Sequence, residues 1–116
     1  MTKLKKIVVN NKQDPKEIEF ANLFNSGNDL AMKNDYKSAI SYFKKAMAIK
    51  PDNIQNMLEL ANCYGLTGKP NEAIVLFKKI LKLTPNDAAV IGNLALTYDG
   101  IHDKAKADSV RALIKK

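Results

Sequence analysis

Two stretches of this chain are nearly the same when they are set 34 residues apart. Residues 35–46 read DYKSAISYFKKA, residues 69–80 read KPNEAIVLFKKI, and both contain the pattern A-I-x-x-F-K-K. Pro51 recurs as Pro85, and the Leu-Ala pair with its following Tyr in 60–64 recurs 34 residues later. A constant offset of this length indicates an array of structural repeats, so the repeat is the feature that determines the fold.

The positions that recur are small, aromatic or proline residues. A 34-residue period with these residue types resembles the tetratricopeptide repeat, and the resemblance covers residues 15 to 116. The family's leading Trp is absent, and Leu30 stands where the first unit of the family has an aromatic residue. The matching residues are Leu23, Gly27, Ala39, Phe43, Ala46 and Pro51 in the first unit, Leu60, Ala61, Tyr64, Gly68, Ala73, Phe77 and Pro85 in the second, and Leu94, Ala95, Tyr98 and Ala107 in the third.

Each unit contains two amphipathic segments joined by a short polar turn, which predicts a helical hairpin. The resemblance implies an all-α fold, a right-handed superhelical stack of three helix-turn-helix hairpins. The repeats are expected at about 20–53, 54–87 and 88–116, after a basic, flexible tail of residues 1–14. The six predicted helices span 15–33, 36–49, 54–67, 70–83, 88–100 and 103–115.

Prolines and capping residues predict where these helices begin and end. Residues 14–17 place an acidic N-cap, a proline and a glutamate that can bond back to the cap, which starts the first helix. Pro70 starts the fourth helix in the same way. Pro51 and Pro85 lack the N–H that a helix needs, so they end the second and fourth helices.

The last helix departs from the repeat on one face. Its Ala107, Val110 and Ile114 keep the apolar positions that pack on the partner helix. The face that would contact a following repeat changes from apolar to polar, which predicts a terminal repeat and an array that ends at three units. The residues on that face are Ile40, Phe43 and Met47 in the first unit, Ile74, Phe77 and Leu81 in the second, and Asp108, Arg111 and Lys115 in the third.

The net charge of +7 is concentrated at the two ends of the sequence. Residues 1–13 carry +4 and residues 101–116 carry +3, whereas residues 14–100 are neutral. A nucleic-acid-binding protein is expected to have a basic stripe on its folded body, so this distribution argues against that class. No apolar run approaches the roughly 20 residues of a transmembrane helix, and we expect a cytoplasmic protein without a membrane partner.

The residues that catalysis or metal binding needs are scarce. Cys63 is the one cysteine and His102 the one histidine, which excludes an internal disulfide and a zinc site built from several such ligands. Cys63 lies at an apolar position of a helix and His102 in a turn, so a buried thiol and a loop imidazole are favoured over a catalytic pair. We expect no enzyme activity, no metal and no cofactor.

The resemblance implies a ligand groove lined by the first helix of each hairpin. In the family's packing these helices form the concave side, and Asn28 and Asn62 lie one above the other, where their amides can bond a ligand backbone. The groove positions carried over to this chain are Phe24, Asn28, Met32, Gln55, Leu58, Asn62, Leu66, Asn93 and Leu96, with Ala89, Gly92, Asn25 and Glu59 beside them.

The sequence therefore predicts a protein-interaction module that holds a peptide or helix of a partner protein, with the chain itself a monomer. The family's clamp for the C-terminal carboxylate of chaperones is not expected, because Asn28 alone matches it and Glu59 would repel a carboxylate. Two alternatives remain open. One is a nucleic-acid- or ribosome-associated protein that acts through its lysine-rich ends, and the other is a structural subunit that associates with itself.

Overall fold

A computed structural model describes residues 14–114, which form six α-helices and a short 3-10 turn, with no strand in this range. The first five helices agree with the predicted bounds to within one residue, so the prediction of six helices is confirmed. The elements are α1 (Pro15–Met32), α2 (Tyr36–Ile49), α3 (Ile54–Leu66), α4 (Pro70–Leu83), α5 (Ala88–Gly100), α6 (Lys104–Arg111) and the 3-10 turn Ala112–Ile114.

The helices pack in chain order as hairpins, α1 on α2, α3 on α4 and α5 on α6, and α2 and α4 each pack on the helix that follows. Small residues lie where the two helices of a hairpin meet. Gly27 of α1 is buried against Phe43 of α2, and Ala61 and Ala73 of the second hairpin have no exposed surface. These contacts let paired helices approach closely, which confirms the expected helical stack.

The turns inside the three hairpins share one left-handed residue. Asn34, Gly68 and His102 have φ angles of 67°, 77° and 64°, and they lie 34 residues apart. In each turn the N–H of the next residue donates to a carbonyl five residues earlier, at N···O distances of 2.8 to 2.9 Å. This hydrogen bond closes the C-terminus of each first helix and turns the chain into the second.

Two local predictions are wrong. Glu17 does not bond back to the helix cap; its carboxylate pairs with Lys50 at the end of α2, because a cation is a stronger partner than a neutral N–H. The sixth helix ends at Arg111 rather than at residue 115, and Ile114, in a 3-10 turn that still contacts α5, is 45% exposed. Since α6 ends at Arg111 and the chain tightens into a 3-10 turn, Ile114 no longer follows the apolar face of that helix.

Two other predictions concern residues that lie outside the described range. They are the flexible tail of residues 1–14, of which residues 1–13 lie outside that range, and the polar replacement at Lys115.

The left-handed turn position predicts opposite effects of substitution in two repeats. Gly68→Ala should lower the free energy of unfolding by about 1 kcal/mol, and His102→Gly should raise it by about the same amount, because a side chain at positive φ is strained. Urea denaturation followed by circular dichroism measures both. Gly65→Ala in α3 is the control, since a Cβ there meets no atom within 4 Å and alanine favours a helix. Equal losses at residues 65 and 68 would contradict this account of the turn.

Candidate protein-binding groove

The first helices of the hairpins are the helices on which the family's packing places a groove. Within residues 14–114, α1 also contacts α3, whereas neither α3 and α5 nor α2 and α4 make a contact of that extent. Because a curved stack of helical hairpins has its first helices on the concave side, α1, α3 and α5 are the candidate groove side.

A cavity of about 610 Å³ opens between α3 and α5. It extends to the turn between α3 and α4 and is open to solvent along one side. Side chains from both first helices form its walls, so a ligand in it would contact two repeats at once. The walls include Asn62, Gly65 and Leu66 of α3, Asn93, Leu96 and Gly100 of α5, and Ile101 directly after α5.

The walls of this cavity expose large apolar side chains. Leu66 is 62% exposed, Leu96 is 64% exposed and Ile101 is 37% exposed. Scattered single hydrophobic residues are ordinary on a protein surface, but three that converge on one concavity are typical of a binding site.

Side-chain amides lie among these apolar residues. Asn62 and Asn93 are half-buried in the cavity wall, on α3 and α5 respectively. Each amide carries a donor and an acceptor, which are the groups that bond a peptide backbone. The hydroxyl of Thr97, which also faces the cavity, donates to the carbonyl of Asn93 at 2.8 Å.

Four of the nine predicted groove residues meet in this cavity, namely Asn62, Leu66, Asn93 and Leu96. Three others lie outside it but keep some exposure. Met32 is 46% exposed at the end of α1, Gln55 is exposed on α3, and Leu58 is half-buried and packs against the core.

The remaining two predicted groove residues are buried. Phe24 is 1% exposed because its ring packs between two others, with centroid distances of 6.0 Å to Phe20 and 5.8 Å to Phe43. Asn28, one helical turn later, has no exposed surface. The expectation that these two side chains are open to a ligand is therefore corrected, and the open groove lies between the second and third repeats.

Sequence reasoning missed the glycines of the cavity. A Cβ built at Gly65 or Gly100 meets no heavy atom within 4 Å, so both glycines leave open space at the groove. Gly100 stands where the preceding repeats have Leu66 and Met32. This loss of a large side chain at one repeat position is a signal that the sequence contains and that could have marked the cavity.

Glu59 is a buried carboxylate on the groove side of α3. It is 9% exposed, and its Oε2 accepts a hydrogen bond from Nε2 of Gln55 at 3.1 Å. Burial raises the pKa of Glu59 above its ordinary value, and the bond from Gln55 opposes part of this rise.

Cys63 lies one helical turn after Glu59 and is 2% exposed. Its burial, together with the charge of Glu59, raises the pKa of the Cys63 thiol to about 12. The thiolate is the nucleophilic form, so this side chain is a poor nucleophile at neutral pH. His102, the other candidate for catalysis, is exposed in the turn between α5 and α6.

The charged residues separate between the two kinds of helix. The first helices α1, α3 and α5 contain one basic and five acidic residues, a net charge of −4. The second helices α2, α4 and α6 contain nine basic and two acidic residues, a net charge of +7. The first helices are therefore acidic as a group and the second helices basic, although residues 14–100, which contain the first five helices, are neutral in sum.

A second cavity of about 570 Å³ lies on the basic side, between α2 and the turn that leads into α4. Lys37, Lys44 and Lys69 line it, with Glu72 at its edge. In the part of the chain that the structure describes, no three His, Cys, Asp or Glu side chains cluster as metal ligands would. No helix of that part is long and apolar enough to cross a membrane.

Paired helices, a 34-residue period and small residues between the helices define a helical-repeat protein. The family model for the tetratricopeptide repeat matches residues 30–92, and the chain belongs to this family. The repeats of this family are non-catalytic modules that generally mediate protein–protein interaction. The chain is also similar to the Protein SGT1 homolog of Bos taurus, with 32% identity over 69 residues, which cover 60% of this chain and 20% of that protein. It thus matches about a fifth of that relative's length.

The raised pKa of Glu59 can be tested by measuring the free energy of unfolding as a function of pH. A carboxyl whose pKa is raised by folding stabilises the protein below its unfolded pKa, and this stabilisation is lost as the pH rises through the folded pKa. The ordinary pKa of a glutamate is about 4.3. As the pH is raised between pH 4 and pH 7, Glu59→Gln should therefore gain stability relative to the wild type. Urea denaturation at both pH values measures this difference.

The matched control for this test is Glu19→Gln on the exposed side of α1, which should show no such change with pH. A Glu59→Gln variant whose advantage is the same at both pH values would contradict the raised pKa.

Proposed function

We propose that this chain binds a partner protein by holding a peptide segment of it in the concave groove between α3 and α5. The observation that carries the proposal is the convergence of Leu66, Leu96 and Ile101 on one open cavity. Removing apolar surface from water is favourable by roughly 25 cal/mol per Å² before the costs of association, so these side chains can anchor an apolar residue of the ligand.

The amides beside these residues support an extended ligand. Asn62 and Asn93 each offer a donor and an acceptor from opposite walls of the cavity. An extended peptide presents unpaired backbone N–H and C=O groups, whereas a helix has already used its own. An extended segment is thus the occupant that the two amides suit.

Leu66 and Leu96 give the direct test of this groove. Peptides selected from a random library displayed on phage, with the full chain as target, supply the ligands. Leu66→Gln and Leu96→Gln should each weaken the selected peptides at least about tenfold, a loss of about 1.4 kcal/mol, because a polar amide replaces the apolar wall. Fluorescence polarisation with the labelled peptides measures the affinities. Both side chains are more than half exposed, so the variants should remain folded.

Val75→Gln is the matched control. Val75 is 66% exposed on α4, outside the cavity, and this variant should bind the peptides like the wild type. Equal losses from all three variants would argue against the groove. If the library yields no ligand and the chain dimerises in light scattering until Leu96→Gln separates it, the groove is an interface between copies of the chain and the proposal is wrong.

The basic second helices support a second candidate, contact with a polyanion such as RNA. Their net charge of +7 gives the folded body the basic surface that the sequence alone did not reveal. Lysines on such a surface release condensed counterions when they contact phosphates, which gives salt-dependent binding.

The second candidate predicts that lysines of the second helices contribute to RNA binding and that a lysine of a first helix does not. Lys44→Glu and Lys78→Glu, on α2 and α4, should each weaken binding of a labelled single-stranded RNA several-fold and flatten its salt dependence, by about one unit of slope for each phosphate that the variant no longer touches. Lys16→Glu on α1 is the control and should have little effect. Fluorescence anisotropy over a series of salt concentrations measures the slope. Equal effects of the three variants would show that the outer side is not an RNA surface.

A further inference from the structure

The acidic residues of the first helices differ in whether a cation pairs with them. Glu17 pairs with Lys50, and Asp99 of α5 pairs with Arg111 of α6. Glu59 receives the amide of Gln55, and among residues 14–114 no lysine or arginine forms an ion pair with it. The middle of the concave side therefore contains a carboxylate that lacks a cation.

Glu59 is more than nine-tenths buried before any ligand arrives. It follows Gln55 by four residues and precedes Asn62 and Leu66 by three and seven, so all four lie on one face of α3. A peptide that crosses Asn62 and Leu66 would cover the rest of Glu59 and exclude the remaining water from it. A buried carboxylate is costly unless a cation or several donors satisfy it, so a ligand that brings a cation would relieve this cost and bind more tightly than one that does not.

The distance between Glu59 and Leu66 along α3 predicts how far apart the cation and the apolar residue are in the ligand. Leu66 follows Glu59 by seven residues, which is about 10 Å along a helix axis at a rise of about 1.5 Å per residue. An extended peptide advances about 3.4 Å per residue and covers the same distance in about three residues. Side chains on one face of an extended strand recur at every second residue, so the cation and the apolar anchor of one ligand strand are about two or four positions apart.

We propose that the groove recognises an extended peptide segment that places a lysine or arginine against Glu59 and, about two or four residues away on the same face, a large apolar side chain in the cavity between Leu66 and Leu96. This inference rests on the proposed function of the groove and adds the chemistry of the partner.

Phage selection on the wild-type full chain and on its Glu59→Gln variant tests the pattern. Peptides from the wild type should be enriched in a Lys or Arg about two or four positions from a Leu, Ile, Met or Phe, and selection on Glu59→Gln should lose the basic residue but keep the apolar one. Because Glu59→Gln removes a buried charge and should stabilise the fold, a loss of binding cannot be attributed to unfolding.

A double-mutant cycle on one selected peptide isolates the interaction between charges. Replacement of the peptide's basic residue by Met should weaken binding to the wild type about tenfold, as expected for a desolvated charge-assisted hydrogen bond, and should have little effect on Glu59→Gln. Glu59→Asp should keep part of the selectivity because the carboxylate is retained. Glu19→Gln, which removes an exposed acid of α1, should leave both the selection and the affinity unchanged.

The two proposals fail in different ways. If no peptide is enriched, or if Leu66→Gln and Leu96→Gln have no effect on the enriched peptides, the groove itself is not the binding site. If peptides bind through Leu66 and Leu96 but lack a basic residue, or show no coupling with Glu59, the proposed function of the groove is supported and the inference about a cationic ligand is wrong. Enrichment of acidic peptides would overturn it as well.

Discussion

The structure depends on the close contact between the Phe43 ring of α2 and Gly27 of α1. A Cβ built on Gly27 would lie 2.6 Å from the Phe43 ring, so this glycine is what lets α1 and α2 pack at their observed separation. The ring has no exposed surface and also packs on Phe24, and it therefore has no room to move aside. A larger side chain at residue 27 would push the helices apart and weaken the first hairpin as a whole.

The same residue connects the first hairpin to the second. Asn56 of α3 is fully buried, and its Nδ2 donates to the backbone carbonyl of Phe43 at 2.9 Å. A buried amide without this partner would cost more than an exposed one, so the bond favours one position of α3 against α2. The position of α3 in turn determines where Asn62 and Leu66 stand relative to α5 and the cavity.

The groove and the charge pattern have a common structural origin. Because alternate helices of the stack occupy opposite sides, any difference in composition between first and second helices becomes a difference between two surfaces. The first helices carry a net charge of −4, with Glu59 on the same face of α3 as Asn62 and Leu66, and the second helices carry +7. One chain can thereby present two chemically different surfaces without a second domain.

The sequence by itself determined the repeat class, the number of helices, and the first and last residues of the first five helices to within one residue. It could do so because the 34-residue period, the prolines and the capping residues act over short stretches of chain. Tertiary structure decided which groove positions are open. Asn28 and Asn62 share one repeat position, yet Asn28 is fully buried and Asn62 lines the cavity. Burial depends on side chains that other helices bring close, and a residue's place in the repeat does not specify those neighbours. For the same reason, Glu17 pairs with Lys50 of another helix end rather than with its own helix cap.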